Sequence, residues 1–291
     1  MSHTLFLQTP ANFDFKRTVL SHGWCELLPF EFDQEQWTLS TVIRGEKPIS
    51  VKVRAAEKSL QIELPEQLSP QDQTALLSAV SHIFRFDDDL QEFYDLTRDE
   101  PHLAWLGEQN AGRLLRSATV FEDLVKTICT TNCNWALTRI MVTNLVEKLG
   151  EAAPGGKKAF PSPQAMAAVP VEFYKAEIRA GYRAAYFREL AERIAGGELQ
   201  VEDWLTTDLP TPELKKELKK IKGVGDYAAE NLLKLLGRYD GLALDSWLRG
   251  QFYKKYNDAN PCDDKRIRTH YERYGKWRGL VIWCEMTEKW L

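Results

Sequence analysis

Long hydrophobic runs are missing from this chain. Nowhere in its 291 residues do about eighteen apolar residues follow one another, which excludes a membrane-spanning helix. The start, MSHTLFLQTPANFDF, has no basic segment followed by an apolar block, so no secretory leader is expected and the chain reads as cytoplasmic. Cysteine is sparse. The five, Cys25, Cys129, Cys133, Cys262 and Cys284, are odd in number and scattered, which excludes a disulfide framework and fits a reducing compartment. They also lack metal-ligand spacing, so no metal site is expected.

An excess of positive charge is missing too, since the net charge is −4. Its distribution matters more than its sum. Residues 1–100 hold 9 Lys/Arg against 17 Asp/Glu, so the remainder carries a net +4. Residues 211–260 alone hold 10 basic and 7 acidic side chains. A modest basic face on an acidic body fits a polyanion that touches one side only.

What is present begins with an α+β pattern. At 291 residues the chain exceeds one compact unit, and two or three lobes sharing a cleft are expected. Residues 37–44, 49–54 and 59–64 alternate apolar and polar side chains with turn-prone segments between them, which predicts an antiparallel meander. Pro65 and the polar residues 66–71 close it, and residues 73–84 then read as a helix. Asp87-Asp-Asp89 reads as a solvated loop or cap. From about residue 90 the pattern is helical, with 121–149 interrupted by the polar Thr130-Thr-Asn-Cys-Asn134, a breaker-rich loop over 151–163 and helices again over 171–194.

The most informative stretch is 214–249, LKKELKKIKGVGDYAAENLLKLLGRYDGLALDSWLR. Leu214, Leu218 and Ile221 share one helical face, and lysines fill the other. Gly223-Val224-Gly225 then allows a tight turn that leaves the first amides of the next helix free to point outward. With the helix dipole behind them and Lys222 beside them, those amides suit a backbone phosphate. A short glycine-containing loop follows and delivers Asp245 just before another apolar-periodic segment. By local chemistry alone Asp245 is an N-cap.

Together the two helical runs, the Gly-x-Gly turn and an Asp twenty residues after the second glycine resemble the helix-hairpin-helix signature of the DNA glycosylase superfamily. Matching stretches at Phe121–Asn134, Gly181–Tyr186 and Tyr274-Gly-Lys-Trp277 are similar to 8-oxoguanine DNA glycosylases, while the whole layout also suits 3-methyladenine DNA glycosylase II. The resemblance implies an N-terminal antiparallel sheet lobe, residues 1–98. A mostly helical two-lobe glycosylase core, 99–291, follows, with the hairpin at about 212–237 and the Asp loop at 238–249. It implies no cofactor. Some members carry a four-cysteine iron–sulfur cluster near the C-terminus, but only Cys262 and Cys284 lie there.

The resemblance also assigns roles. Asp245 is the expected catalytic carboxylate, and Tyr227, Trp247 and Trp277 the expected base-pocket aromatics. Asn132 is the wedge that fills the gap left by a flipped nucleotide, with Cys133 replacing a second family asparagine beside it. Lys222, Gly223, Val224 and Gly225 are expected to hold DNA phosphate. Arg183 reads as structural rather than as a base reader. The expected partner is double-stranded DNA containing a damaged base, bound by a monomer, with no membrane involved. Tyr227 stands where bifunctional members carry the lysine that forms a Schiff base, and Lys234 lies about two helical turns further on, roughly 10 Å along the axis. A monofunctional enzyme is therefore expected, acting on alkylated purines first and oxidised purines second. Two other readings stand beside it. A thiol hydrolase using Cys129 or Cys133 is weak, because no histidine is placed to serve either cysteine. A non-catalytic helix-hairpin-helix clamp would need the glycines and lysines but not Asp245.

Overall fold

A computed structural model describes residues 3–290. Five strands form one antiparallel sheet in the order β1-β5-β4-β3-β2, with β1 His3–Gln8, β2 Glu31–Asp33, β3 Thr38–Ile43, β4 Ile49–Ala56 and β5 Ser59–Leu64. The three expected strands are the middle of this sheet. Both edges escape the sequence pattern: β2 is only 3 residues long, and β1 shows an apolar side chain, Phe6, that is 58% exposed. Val53 pairs with Leu39 on one side and Ile62 on the other, so three aliphatic side chains line up on the buried face.

Helices of eight residues or more are α1 Pro70–Ile83, α2 Val120–Thr130, α3 Trp135–Leu149, α4 Ala184–Ala195, α5 Thr211–Lys219, α6 Asp226–Leu235, α7 Ser246–Tyr256, α8 Asp264–Tyr271 and α9 Arg278–Thr287. The first starts earlier than its apolar pattern suggests. Ser69 caps it and Pro70 occupies the first turn, where a missing N–H costs nothing. Residues 171–194 are not one helix; a short turn of helix over Val171–Ala176 and a tight turn at Gly181–Arg183 precede α4. No described helix is long and apolar enough to cross a membrane.

One contiguous core runs from Leu39, Val53 and Ile62 of the sheet through Leu124, Phe187 and Leu232 to Leu280. The α2 helix is its axis: every residue from Val120 to Cys129 is buried. Burying a helix on all sides leaves its first amides without water, and Glu202 supplies the acceptors. Its carboxylate takes the Val120 and Phe121 amides at 2.9 and 3.0 Å.

In the acidic run 87–89, Asp87 and Asp89 are exposed as expected of a solvated loop or cap, and Asp88 alone departs from it. Asp88 is largely buried and accepts from Arg85 Nε at 2.7 Å and from the Tyr239 hydroxyl at 3.0 Å. Arg85 and Arg116 beside it hold its carboxyl below the usual range even though burial works the other way.

Candidate active site

The site is built around α6. At its N-terminal end Gly223 has φ +91, and a Cβ there would press on the Tyr186 ring at 2.9 Å, so the turn requires glycine. Gly225 is extended, caps the helix without a side chain, and has open space around the place where a Cβ would stand. The Asp226, Tyr227 and Ala228 amides thus have no intrahelical acceptor and face outward. Val224 is buried and anchors the turn. The lysines around it are paired in the free protein: Lys222 with Glu189 at 2.6 Å, and Lys215 and Lys219 with Asp226 at 3.1 and 3.0 Å. Such exposed pairs are worth little and exchange readily for a phosphate.

The C-terminal end of α6 is closed instead. Arg85 Nη1 donates to the Lys234 and Leu235 carbonyls, each at 3.0 Å, and Arg116 Nε donates to Leu235 O at 2.6 Å. The following loop is then gripped residue by residue. Gly279 N donates to Tyr239 O at 2.8 Å, Arg278 donates to Asp240 O, Lys234 Nζ donates to Leu242 O at 3.1 Å, and Glu230 accepts the Ala243 amide at 2.6 Å. Gly241 and Gly279 meet backbone to backbone, and a Cβ on Gly279 would overlap the Gly241 carbonyl.

This grip fixes Asp245. Its Oδ1 accepts the Leu248 amide at 2.7 Å and caps α7. The carboxylate is half-buried, and among the described residues no protein donor engages Oδ2. Two neighbours feel its charge. Tyr227 has its phenol pushed up to about 12, first by burial and then by the negative charge of Asp245. Lys234 is pulled down to about 8 by burial, against the attraction of Glu230, Cys284 and Asp245.

The three expected aromatics differ in exposure: Tyr227 is half-buried, Trp247 exposed and Trp277 buried. Trp277 is buried in the core, stacked on Tyr239 at 5.3 Å and packed against Phe93 at 5.6 Å, rather than standing at the surface. Trp283 instead meets Trp247, two residues past Asp245. Its ring packs against Trp247 at 5.9 Å and Trp290 at 5.7 Å, with Lys234 Nζ 5.6 Å from its centre. Beside it lies a shallow cleft bordered by Arg17, Ser21, Trp105, Trp283 and Trp290. The sequence signal for Trp283 was present, since it falls on the apolar face of α9, but helical spacing alone reads it as core.

The polar break at 131–134 is a tight turn between α2 and α3. Thr131 Oγ1 donates back to Ile128 O at 2.8 Å, and Asn134 caps α3 through the Leu137 amide at 2.9 Å. Buried Arg183 donates to Ile128 O at 3.2 Å and to Thr131 O, holding the turn from behind, which is a structural role. Asn132 sits at the tip, exposed, with φ +46. Cys133 differs from its expected place in the wedge: its thiol donates to Cys129 O at 2.9 Å and so ties the turn together rather than projecting from it. A Cβ placed on Gly223 would also lie 3.4 Å from Ile128, so the glycine turn packs against the end of α2 beside the Asn132 turn.

This is the fold of the helix-hairpin-helix DNA glycosylases, so the resemblance read from the sequence holds at the level of fold. The chain superposes on the 3-methyladenine DNA glycosylase of Archaeoglobus fulgidus with a TM-score of 0.77 at 17% identity, covering 98% of each chain. It superposes on the Clostridium acetobutylicum 8-oxoguanine glycosylase/lyase in complex with duplex DNA with a TM-score of 0.75 at 21% identity, covering 99% of this chain and 97% of that one. In sequence it is 23% identical over 218 residues to YfjP of Bacillus subtilis, provisionally named a DNA-3-methyladenine glycosylase, covering 73% of this chain and 75% of that protein. No protein-family model matches the chain.

Proposed function

We propose that this protein is a base-excision DNA glycosylase that flips a damaged purine out of a duplex and hydrolyses its N-glycosidic bond. The observation that carries this reading is the immobilised loop that presents Asp245 beside an aromatic enclosure and next to two outward-facing turns. Phosphate binds the free amides of α6 with help from Lys222, which positions the duplex without reading its sequence. Asn132 at the tip of its rigid turn enters the gap left by the extruded nucleotide. Extrusion costs roughly a few kcal/mol, less where the base is damaged or mispaired. Trp247 and Trp283 part to stack on the base, while Tyr227 lines the wall between Asp245 and the wedge turn.

As the bond from C1′ to the base breaks, its electron pair leaves with the base and positive charge develops on the sugar. The Asp245 carboxylate stabilises that charge, takes a proton from water and directs the oxygen to C1′. Tyr227 holds the hairpin position of a Schiff-base lysine and has no amine to offer, so water is the nucleophile and an intact abasic site is the product. One chain supplies hairpin, wedge and carboxylate, so a monomer suffices and this reaction needs no cofactor. A damaged purine is the substrate class, with alkylated purines the first expectation and oxidised purines the second; the chemistry of the pocket bears on that order below.

Asp245→Asn keeps the cap on α7 and removes the charge. Base release should fall by about a thousandfold or more while duplex affinity stays within about threefold, as losing an electrostatic contact made in the transition state predicts. Release at the wild-type rate would refute the assignment. Borohydride should trap no covalent complex between the wild-type protein and lesion-containing DNA.

A further inference from the structure

Lys234 is a buried ammonium that the mechanism above leaves unused. It is 2% exposed, and among the described residues its Nζ has one hydrogen-bond partner, Leu242 O at 3.1 Å. Glu230, one turn back on α6, is already occupied by Lys215 Nζ at 2.7 Å and the Ala243 amide at 2.6 Å. An ammonium has three N–H donors, so two remain unsatisfied in a place where each unmet donor is costly. The contrast with Lys126 is direct. Lys126 is equally buried, and although its Nζ makes no hydrogen bond of good geometry, its charge is matched by Glu122 at 2.6 Å on the preceding turn of its own helix. Lys126 is a paired structural cation; Lys234 is a buried cation without a counter-ion.

Its surroundings say what the spare donors face. Lys234 lies seven residues after Tyr227, hence on the same face of α6, and helical side chains lean toward the N-terminus of their helix, here toward Tyr227 and Asp245. The roughly 10 Å between their backbone positions is thus shortened by the length of the lysine side chain. Below the ammonium lies the face of Trp283, which packs against Trp247, two residues past Asp245. His22 stands close enough for the charge of Lys234 to lower its pKa further, and its Nε2 is buried without a partner. Trp283, Lys234 and His22 thus form one buried cluster, joined to the Asp245 helix through Trp247.

We propose that Lys234 contacts the excised base and selects neutral purines over cationic alkylpurines. This rests on the glycosylase reading and refines it. A neutral purine leaves C1′ with the bonding electron pair and becomes an anion; a lysine N–H aimed at its carbonyl oxygen or ring nitrogen stabilises that charge and can pass it a proton. A 3- or 7-alkylated purine is already cationic in the nucleoside and leaves neutral, so it gains nothing from the donor and is repelled by the ammonium. The pocket thus places oxidised or deaminated purines ahead of alkylated ones, reversing the order expected from the sequence.

The test is single-turnover release of hypoxanthine, 8-oxoguanine and 7-methylguanine from matched duplexes by the wild-type protein, Lys234→Met and Lys234→Arg, with thermal melting as a check on folding. The wild-type protein should release a neutral purine faster than 7-methylguanine. Lys234→Met should slow neutral release about a hundredfold, the usual loss for one oriented donor, while 7-methylguanine release is unchanged or faster, and Lys234→Arg should restore part of the loss. Equal losses on neutral and cationic bases would mark a packing role and overturn the proposal, as would a wild-type preference for 7-methylguanine. Release of none of the three by a folded, DNA-binding protein would instead remove the glycosylase reading itself, and this refinement with it.

Discussion

The two ends of α6 are built on opposite rules. At the N-terminus no side chain caps the helix, a glycine leaves the first amides open, and the nearby lysines sit in exposed pairs. At the C-terminus two buried arginines take the last carbonyls, and Arg85 is further engaged by Asp88 and by the Tyr239 hydroxyl at 2.6 Å. A helix needing only stability would close both ends. Leaving one open, at the surface and beside cations, forgoes local stability, as the proposed phosphate contact requires. Closing the other holds the loop that carries Asp245.

Removing the closure should have the largest effect. Arg85→Met takes one buried donor away from the Lys234 and Leu235 carbonyls and from the Asp88 carboxylate, leaving Leu235 O to Arg116 and Asp88 to the Tyr239 hydroxyl. Breaking one side of such a buried network costs about 3–5 kcal/mol, to be read as a drop in the denaturant midpoint at unchanged slope. A loss under about 1 kcal/mol would mean that the closed end is not what anchors the loop.

How much of this was legible in the sequence follows from which features are local. The three inner strands, the α2–α3 pair with its polar break, the glycine turn and the capping position of Asp245 depend on neighbours along the chain, and each left a pattern there. The closed end of α6 did not. Arg85 and Arg116 lie more than a hundred residues from the carbonyls they take, and Asp88 looked like part of a solvated acidic run until its arginines were in place. The tryptophans were hard to read for another reason. Trp277 and Trp283 both fit helical core spacing, and only packing shows that the first lies between Tyr239 and Phe93 while the second meets Trp247. The spacing of Lys234 from Tyr227 along the helix axis carries no information on the direction and length of its side chain.

A second difference along α6 is thermodynamic. Arg85 and Lys234 sit near the same end, but burial is overcome by partners at Arg85, whose pKa is raised, and wins at Lys234, whose pKa falls from 10.5 to about 8. A lowered folded-state value means that between pH 8 and 10.5 the unfolded chain keeps a proton the folded chain has lost, so this group adds stability as pH rises through that window. The full contribution is about 3 kcal/mol, and Lys234→Met should remove it. It is read as the difference between the two proteins, because the buried Cys129 and Cys284 thiols, both pushed up, act in the opposite sense over part of the same range. Parallel stability curves for the two proteins from pH 7 to 10.5 would place the Lys234 amine in water rather than in the interior.

The open end predicts the smallest effect and the most selective one. Gly225 is extended, so alanine adopts its backbone without strain, and its Cβ would enter open space. Folding stability should therefore change by less than about 1 kcal/mol, the weaker cap being offset in part by a stiffer unfolded chain. The same open space is where a phosphate must come close to reach the Asp226, Tyr227 and Ala228 amides, and a methyl group there holds it off. Losing one such charge-assisted contact costs about 1.5 kcal/mol, so Gly225→Ala should weaken duplex binding about tenfold. Because phosphate contacts position the duplex without reading it, the loss should be equal for damaged and undamaged DNA, measured by fluorescence anisotropy at fixed salt. Lys222→Ala should weaken both alike as well and reduce the salt slope by about one, since it removes a charge rather than a shape. A loss confined to one lesion would put the base, and not the backbone, at this end of the helix, and the contrast between its two ends would have to be redrawn.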